Sequence, residues 1–240
     1  MLDYTALKSN RRRFLALTGL TPKEFHALLP AFSEAYRHRY EGPKTVAGRK
    51  RKRPVGSGRS GMLTSLEQKL LFILVYQKTY PLQVVQGELF GLSQSSANDW
   101  IHRLLPILSE ALRALGVMPQ REGRQFARSQ RQQPASSEYI IDGTERRRQR
   151  PKVAEKQALH YSGKKKTHSD KNLVIINRQS QQVRYLSPTY AGKTHDKKMA
   201  DQEAIAYPRH TVLHKDTGFQ GYEPKGCRCH QPKKNRVVRN

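Results

Sequence analysis

Apolar residues recur at helical spacing in the first half of the chain and in short β-branched runs in the second. Phe25, Leu28, Leu29, Phe32 and Tyr36 give one apolar face. Thr21-Pro22-Lys23-Glu24 places ahead of them a capping Thr, a Pro at the first helical position and a Glu at the third. This pattern predicts a helix ending near Arg39. Thr64-Ser65-Leu66-Glu67 reads as a second capping box, and Leu66, Leu70, Ile73 and Leu74 continue a helix to about Thr79. Pro81 stops it and opens another, lined by Leu82, Val85 and Leu89. Gly91 then turns the chain, and Ser93 caps a third helix carrying Ala97, Ile101, Leu104, Leu105 and Leu108 inward. Pro106 lacks an N–H and is expected to kink or restart that helix before Leu112. Helix, glycine turn, helix is the pattern of a helix-turn-helix.

Pro119 to Ser137 is rich in Gln, Arg and Ser and is read as a linker. Beyond it the period changes. Tyr139-Ile140-Ile141, Leu173 to Ile176, Val183 to Leu186 and Thr211-Val212-Leu213 read as strands, and His195 to Ala206 reads as a helix before the last of them. Three meandering strands and a helical crossover predict a mixed sheet. The expected class is therefore α+β. Four segments are expected: an N-terminal helix with a loop (1–62), a helix-turn-helix domain (63–118), the linker (119–137) and a sheet domain (138–240).

Charge narrows the field of partners. The 240 residues hold 45 Lys+Arg against 19 Asp+Glu, a formal net charge of +26. Such an imbalance points to a polyanion, of which nucleic acid is the first candidate. The longest uncharged apolar run, Leu70 to Tyr76, falls well short of the ~18 residues of a membrane span. Basic Lys8 to Arg13 precedes only a short apolar stretch, so no secretory leader is expected. The two cysteines stand together in Cys227-Arg228-Cys229, which is no disulfide framework and fits a reducing compartment. A cytoplasmic, nucleoid-associated protein is the expectation. Glu41 to Gly61 holds Arg49-Lys50-Arg51-Lys52-Arg53 among five glycines and two prolines and reads as a mobile basic loop, either simply solvated or in contact with phosphate. On the third helix, Ser95, Ser96, Asn98, Asp99, His102 and Arg103 form the outward set and can approach DNA.

Two aspartates stand out. Asp142 and Asp216 each end an apolar strand, in Ile140-Ile141-Asp142-Gly143 and Asp216-Thr217-Gly218. If the strands are neighbours, the carboxylates converge and suit Mg²⁺, a cation that takes oxygen ligands. The plainer alternative is that both only shape turns, as Asp-Gly and Asp-x-Gly usually do.

The blocks Ile141-Asp142-Gly143-Thr144-Glu145-Arg146, Tyr161-Ser162-Gly163-Lys164-Lys165-Lys166-Thr167-His168, Gly192-Lys193-Thr194-His195-Asp196-Lys197 and Asp216-Thr217-Gly218-Phe219-Gln220-Gly221-Tyr222 together resemble the transposases of IS5-type insertion elements. These are DDE-superfamily enzymes similar to the Harbinger-type nucleases. Leu63 to Leu115 resembles the helix-turn-helix domain that precedes the nuclease in this group. The resemblance implies an RNase H-like fold in which three carboxylates bind two divalent ions, Mg²⁺ being expected, and cut double-stranded DNA at the element's terminal repeats before joining it to a target. It leaves a homodimer open. Asp142 matches the first carboxylate and Asp216 the second, as catalytic and metal-binding residues. Asp196 is read as a helix cap or a support behind the ligands, and Lys164, Lys165, Lys166 and His168 as phosphate contacts or a solvated hairpin.

The family's third carboxylate, a Glu on a later helix, has no match here. Nothing acidic follows Glu223, which sits in a turn, and the chain ends at Asn240, so the sheet domain is expected to be incomplete. Cys227, Cys229 and His230 fit zinc spacing poorly. Two functions are therefore expected in competition, a transposase that cleaves DNA and a truncated one that only binds it. A general RNA-binding protein is more remote, because the stacked aromatics of an RNA-binding sheet are missing.

Overall fold

The computed structural model describes residues 1–42, 48–50, 52, 62–130 and 138–232. The chain divides into two compact units, Met1–Met118 and Pro119–Asn240. Among the described residues no helix is long and apolar enough to cross a membrane.

The first unit is helical: α1 (Tyr4–Leu7), α2 (Arg11–Thr18), α3 (Pro22–Tyr40), α4 (Leu66–Thr79), α5 (Gln83–Phe90) and α6 (Gln94–Ala114). At α3 both halves of the capping box form, with the Glu24 carboxylate accepting from the Thr21 amide at 2.7 Å. The cap of α4 lies one residue later than predicted, because Ser65 rather than Thr64 accepts from the Gln68 amide, at 3.0 Å. Gln68 does not close a box. Its amide group instead receives the Tyr4 N–H and donates to the Leu2 carbonyl, tying the N-terminus to α4. The sequence pattern missed α1 and α2, which are too short to show a period. Their starts are marked by Asp3 and Asn10, each accepting from backbone amides, and α2 ends at Gly19 with φ 74°. Tyr4 and Phe14 pack on Phe25, with ring centroids 5.1 and 5.3 Å away.

Two expectations about the helix-turn-helix are corrected. Leu82 and Val85 do not line the core of α5 but are 74% and 44% exposed; Gln86, Gly87 and Phe90 face inward. The close approach of the turn sets that face, since a Cβ on Gly87 would lie 2.5 Å from the Leu92 carbonyl oxygen. Pro106 does not restart α6, which continues through it as one helix of 21 residues. Ile101, Leu104, Ile107, Leu108 and Ala111 are buried on both sides of the proline, and that packing outlasts the loss of one backbone hydrogen bond.

The second unit is built on a seven-stranded mixed sheet: β1 (Glu138–Arg147), β2 (Tyr161–Ser162), β3 (Thr167–Asn177), β4 (Val183–Leu186), β5 (Tyr190–Ala191), β6 (Thr211–Lys215) and β7 (Cys227–His230). β1 pairs antiparallel with β3 along nine positions and parallel with β6 along four, and β7 continues parallel beside β6. β2, β5 and β4 follow one another along the other edge of β3. Helix α8 (Ala154–His160) precedes β2, and α9 (Asp196–Glu203) crosses from β5 to β6. The core gathers Tyr139, Ile141, Leu173, Ile175, Tyr185, Ala200, Leu213 and Phe219.

Three further expectations change here. Asp142 does not end its strand, since β1 runs five residues beyond it on β3 although β6 stops beside it. Gly226 onward is not merely basic tail, because Cys227–His230 forms β7, with both cysteines packed against the core. Pro119 to Gln130 is not a linker. The Gln120 amide donates to the Arg184 carbonyl at 2.8 Å, and the short helix α7 (Phe126–Ser129) buries Phe126 completely against Tyr139 and Tyr185. One aromatic in a polar stretch gives no period, so the anchor is invisible in the pattern.

Phe126→Ala should therefore destabilise the sheet unit by about 3–5 kcal/mol and leave the helical unit unchanged. Hydrogen exchange resolved along the chain checks this. Loss of protection in β1 and β4 but not in α4 is the expected result.

Candidate functional site

In the β1–β6 register Ile141 pairs with Lys215, so Asp142 and Asp216 stand level on neighbouring chains, which lie about 4.8 Å apart in a sheet. Side chains alternate between faces. Ile140, Asp142, His214 and Asp216 belong to one face, and Tyr139, Ile141, Leu213 and Lys215 to the core face. Both aspartates line an open cleft of about 700 Å³ with Arg178, His214 and His230. Asp142 Oδ1 accepts from the Gly143 amide at 2.7 Å, and Asp216 Oδ1 from the Gly218 amide at 2.9 Å. The second oxygen of each carboxylate makes no hydrogen bond among the described residues. Two hard oxygen donors side by side suit a divalent cation. Among the described residues, however, no three His, Cys, Asp or Glu side chains come together as a metal site.

Asp216 does cap a turn, the 3-10 turn Thr217–Phe219 that contains Gly218, whereas Gly143 continues β1 and makes none. Neither glycine takes a positive φ. A Cβ on Gly143 would lie 2.8 Å from Asp196 Oδ1, and one on Gly218 would lie 2.8 Å from Asp196 Oδ2 and 3.0 Å from Asp216 Oδ1. The Asp196 carboxylate is thus wedged between the two segments that carry Asp142 and Asp216. It is the first residue of α9 rather than its cap, which is His195.

Lys171 holds that wedge. Its ammonium lies 3.2 Å from Asp196 Oδ1 and 3.2 Å from Glu145 Oε1, and donates to the Thr194 carbonyl at 3.0 Å. Glu145 also accepts from the Ser169 hydroxyl at 3.1 Å. Burial works to raise the Glu145 carboxyl, but hydrogen bonds from Lys171, Ser162 and Ser169 outweigh it and hold the group below its ordinary 4.5. At its far end α9 is tied down by Glu203, which accepts from the hydroxyls of Tyr185 and Tyr190. Burial first, then the hydrogen bond to Glu203 and its charge, raises both phenols well above their usual value.

Sequence reasoning missed Lys171, Glu145 as its partner, and His214. A signal exists for each. Glu145 has the parity of Ile141 on β1, so its charge points to the covered face and requires a cation; His214 shares the parity of Asp216. The cation itself was hidden, because Lys171 meets Glu145 only through the β1–β3 register, set across an irregular connection.

Glu223 does not join the aspartates. Its carboxylate is 2.6 Å from the Lys215 ammonium, whose hydrogen bond lowers the acid. Burial pushes the Cys227 and Cys229 thiols up to about 12 and about 11, and the His230 ring stacks on His214 at 5.3 Å.

Of the expected DNA contacts, Ser95, His102 and Arg103 are exposed on α6, with the Arg103 guanidinium 5.6 Å over the Trp100 ring. Asn98 is half-buried and its Oδ1 accepts from Gln83 at 2.8 Å, bracing α6 to α5. Lys164, Lys165 and Lys166 are exposed in the turn between β2 and β3. Arg49, Lys50 and Lys52 are exposed, whereas Arg51 and Arg53 lie outside the described residues.

Comparison with known families matches residues 141–239 to the DDE superfamily endonuclease and residues 62–114 to the helix-turn-helix of DDE superfamily endonuclease. No curated protein and no solved structure matches the chain.

Two measurements probe the wedge. Gly143→Ala should cost about 1–3 kcal/mol by overpacking. Combined with Asp196→Ala the costs should fall short of additive by more than about 0.5 kcal/mol, as read from denaturant melts. Because Glu145 is depressed in the folded state, it contributes stability above 4.5 that is lost as pH falls through its lowered value. Lys171→Met removes the main depressing partner and leaves burial opposed by Ser162 and Ser169 alone, so the loss of stability on acidification should be smaller in that variant. Melting midpoints between acid and neutral pH show the difference.

Proposed function

We propose that this chain, which carries a helix-turn-helix and an endonuclease domain of the DDE superfamily, is the transposase of a DNA insertion element. In this reading the helical unit binds the element's ends and the sheet unit, an RNase H-like arrangement, cleaves DNA and transfers the strand. The level placement of Asp142 and Asp216, each with a free carboxylate oxygen on one open sheet face, carries the proposal. These residues would hold a divalent cation, Mg²⁺ by the chemistry of the donors, which when bound supplies an activated water and neutralises charge on the leaving oxygen. Asp196 keeps the two carboxylates in register. Lys164, Lys165 and Lys166 bind substrate phosphates, and Arg103, laid on Trp100, presents a cation from α6 with little freedom left to lose.

A second reading is a DNA-binding protein without cleavage. It is favoured by one observation: Glu223 is held by Lys215, and among the described residues no three His, Cys, Asp or Glu side chains come together as a metal site.

Incubating the full chain with Mg²⁺ or Mn²⁺ and DNA bearing the element's ends separates the two readings. Cleavage that falls to background in Asp142→Asn and Asp216→Asn, with duplex affinity intact, is expected for the transposase. Binding without cleavage selects the second reading. In both, log affinity should fall with log salt by about 0.9 per phosphate contacted. Arg103→Ala should weaken binding, and a salt-independent affinity would overturn both readings.

A further inference from the structure

We infer that a cleft at the outer edge of the sheet takes one unpaired nucleotide of the DNA, with its base on Tyr161 and its phosphates on Arg150 and Lys193. The inference rests on the DNA-processing reading above and assigns a subsite to it. The cleft measures about 660 Å³, within the range of about 300–1,000 Å³ that holds small ligands. It shares Tyr161, Gly163 and Lys193 with a second cleft, of about 340 Å³, which is lined by Asp196 and Asp216. A nucleotide seated there would therefore lie next to the cleft that Asp216, one of the two candidate ligands, lines with Asp196.

The lining has the chemistry of nucleic acid that has left its stack. Tyr161 is 44% exposed, a large ring left facing the cleft, and the His168 ring stands across from it at 5.6 Å and 69°. Cations flank the rings. Arg150 is held by two hydrogen bonds to Gln157 Oε1, at 2.9 and 3.1 Å, and Lys193, also in the lining, is exposed. Among the described residues no carboxylate lines the cleft. Phosphate alone would need only the cations. The ring serves a base, and duplex DNA keeps its bases stacked inside, so the ligand is an unpaired nucleotide.

The walls are preformed, which lowers the cost of binding. His160 and Arg148 both reach Asp170 Oδ1, at 3.0 and 2.9 Å, fixing the end of α8 to β3. Gly192 packs so tightly there that a Cβ would lie 2.6 Å from the His160 carbonyl oxygen.

The test uses the full chain in EDTA with two DNAs, a short duplex and the same duplex carrying one unpaired 2-aminopurine. The wild-type chain should bind the second about tenfold more tightly and change the probe's fluorescence on binding. Tyr161→Ala should erase that preference while duplex affinity persists, and Tyr161→Phe should keep it. Equal affinity of the wild-type chain for both DNAs, or a preference untouched by Tyr161→Ala, overturns the subsite alone. Loss of wild-type binding to both DNAs overturns the DNA-processing reading instead. Circular dichroism verifies that each variant is folded, and the wild-type comparison stands without any variant.

Discussion

The carboxylate of Asp196, wedged between Gly143 and Gly218 and gripped by Lys171, is the contact on which the candidate site depends. A charged group at a covered strand face is costly unless paired. Here one lysine serves two carboxylates and a backbone carbonyl, so removing any member strands the others. The arrangement explains why glycine stands at both positions: a methyl group at either would displace the wedge. It also gives α9 a fixed seat, with Asp196 at one end and Glu203 bonded to two tyrosine hydroxyls at the other.

From that seat the open face is defined. α9 buries Met199 and Ala200 beneath it, while Asp142, His214 and Asp216 line an open cleft. The ion pairs gather around Lys171, while each of the two aspartates gives one oxygen to a backbone amide and keeps a second that makes no hydrogen bond among the described residues. Part of the excess positive charge lies in the exposed Lys164, Lys165 and Lys166 of the β2–β3 turn, where the cations remain available to phosphate.

The helical unit follows a different logic. α4 is buried nearly all round, and its Lys69 ammonium is accommodated between the Tyr36 and Trp100 rings and bonded to the Thr64 carbonyl at 3.0 Å. Trp100 thereby faces Lys69 and Arg103 at once, linking the packing of the unit to the cation presented on α6.

What the sequence determined by itself was local. The start of α3, the glycine turn after Phe90, the cap at Ser93 and the apolar face of α6 follow from contacts within a few residues, and each was legible. The strands carrying Asp142 and Asp216 were legible too, through their β-branched runs. Only the tertiary structure decided the rest, because the deciding contacts cross long separations. Phe126 turned an apparent linker into core, Gly87 outweighed Leu82 and Val85 in setting the inner face of α5, and Lys171 met Glu145 through a register that no local pattern specifies. The glycines show the difference most directly. Their positions beside the aspartates suggested turns, and Gly218 does lie in one, yet neither takes a positive φ, and the reason for glycine at both is a carboxylate more than twenty residues away from either in one direction or the other.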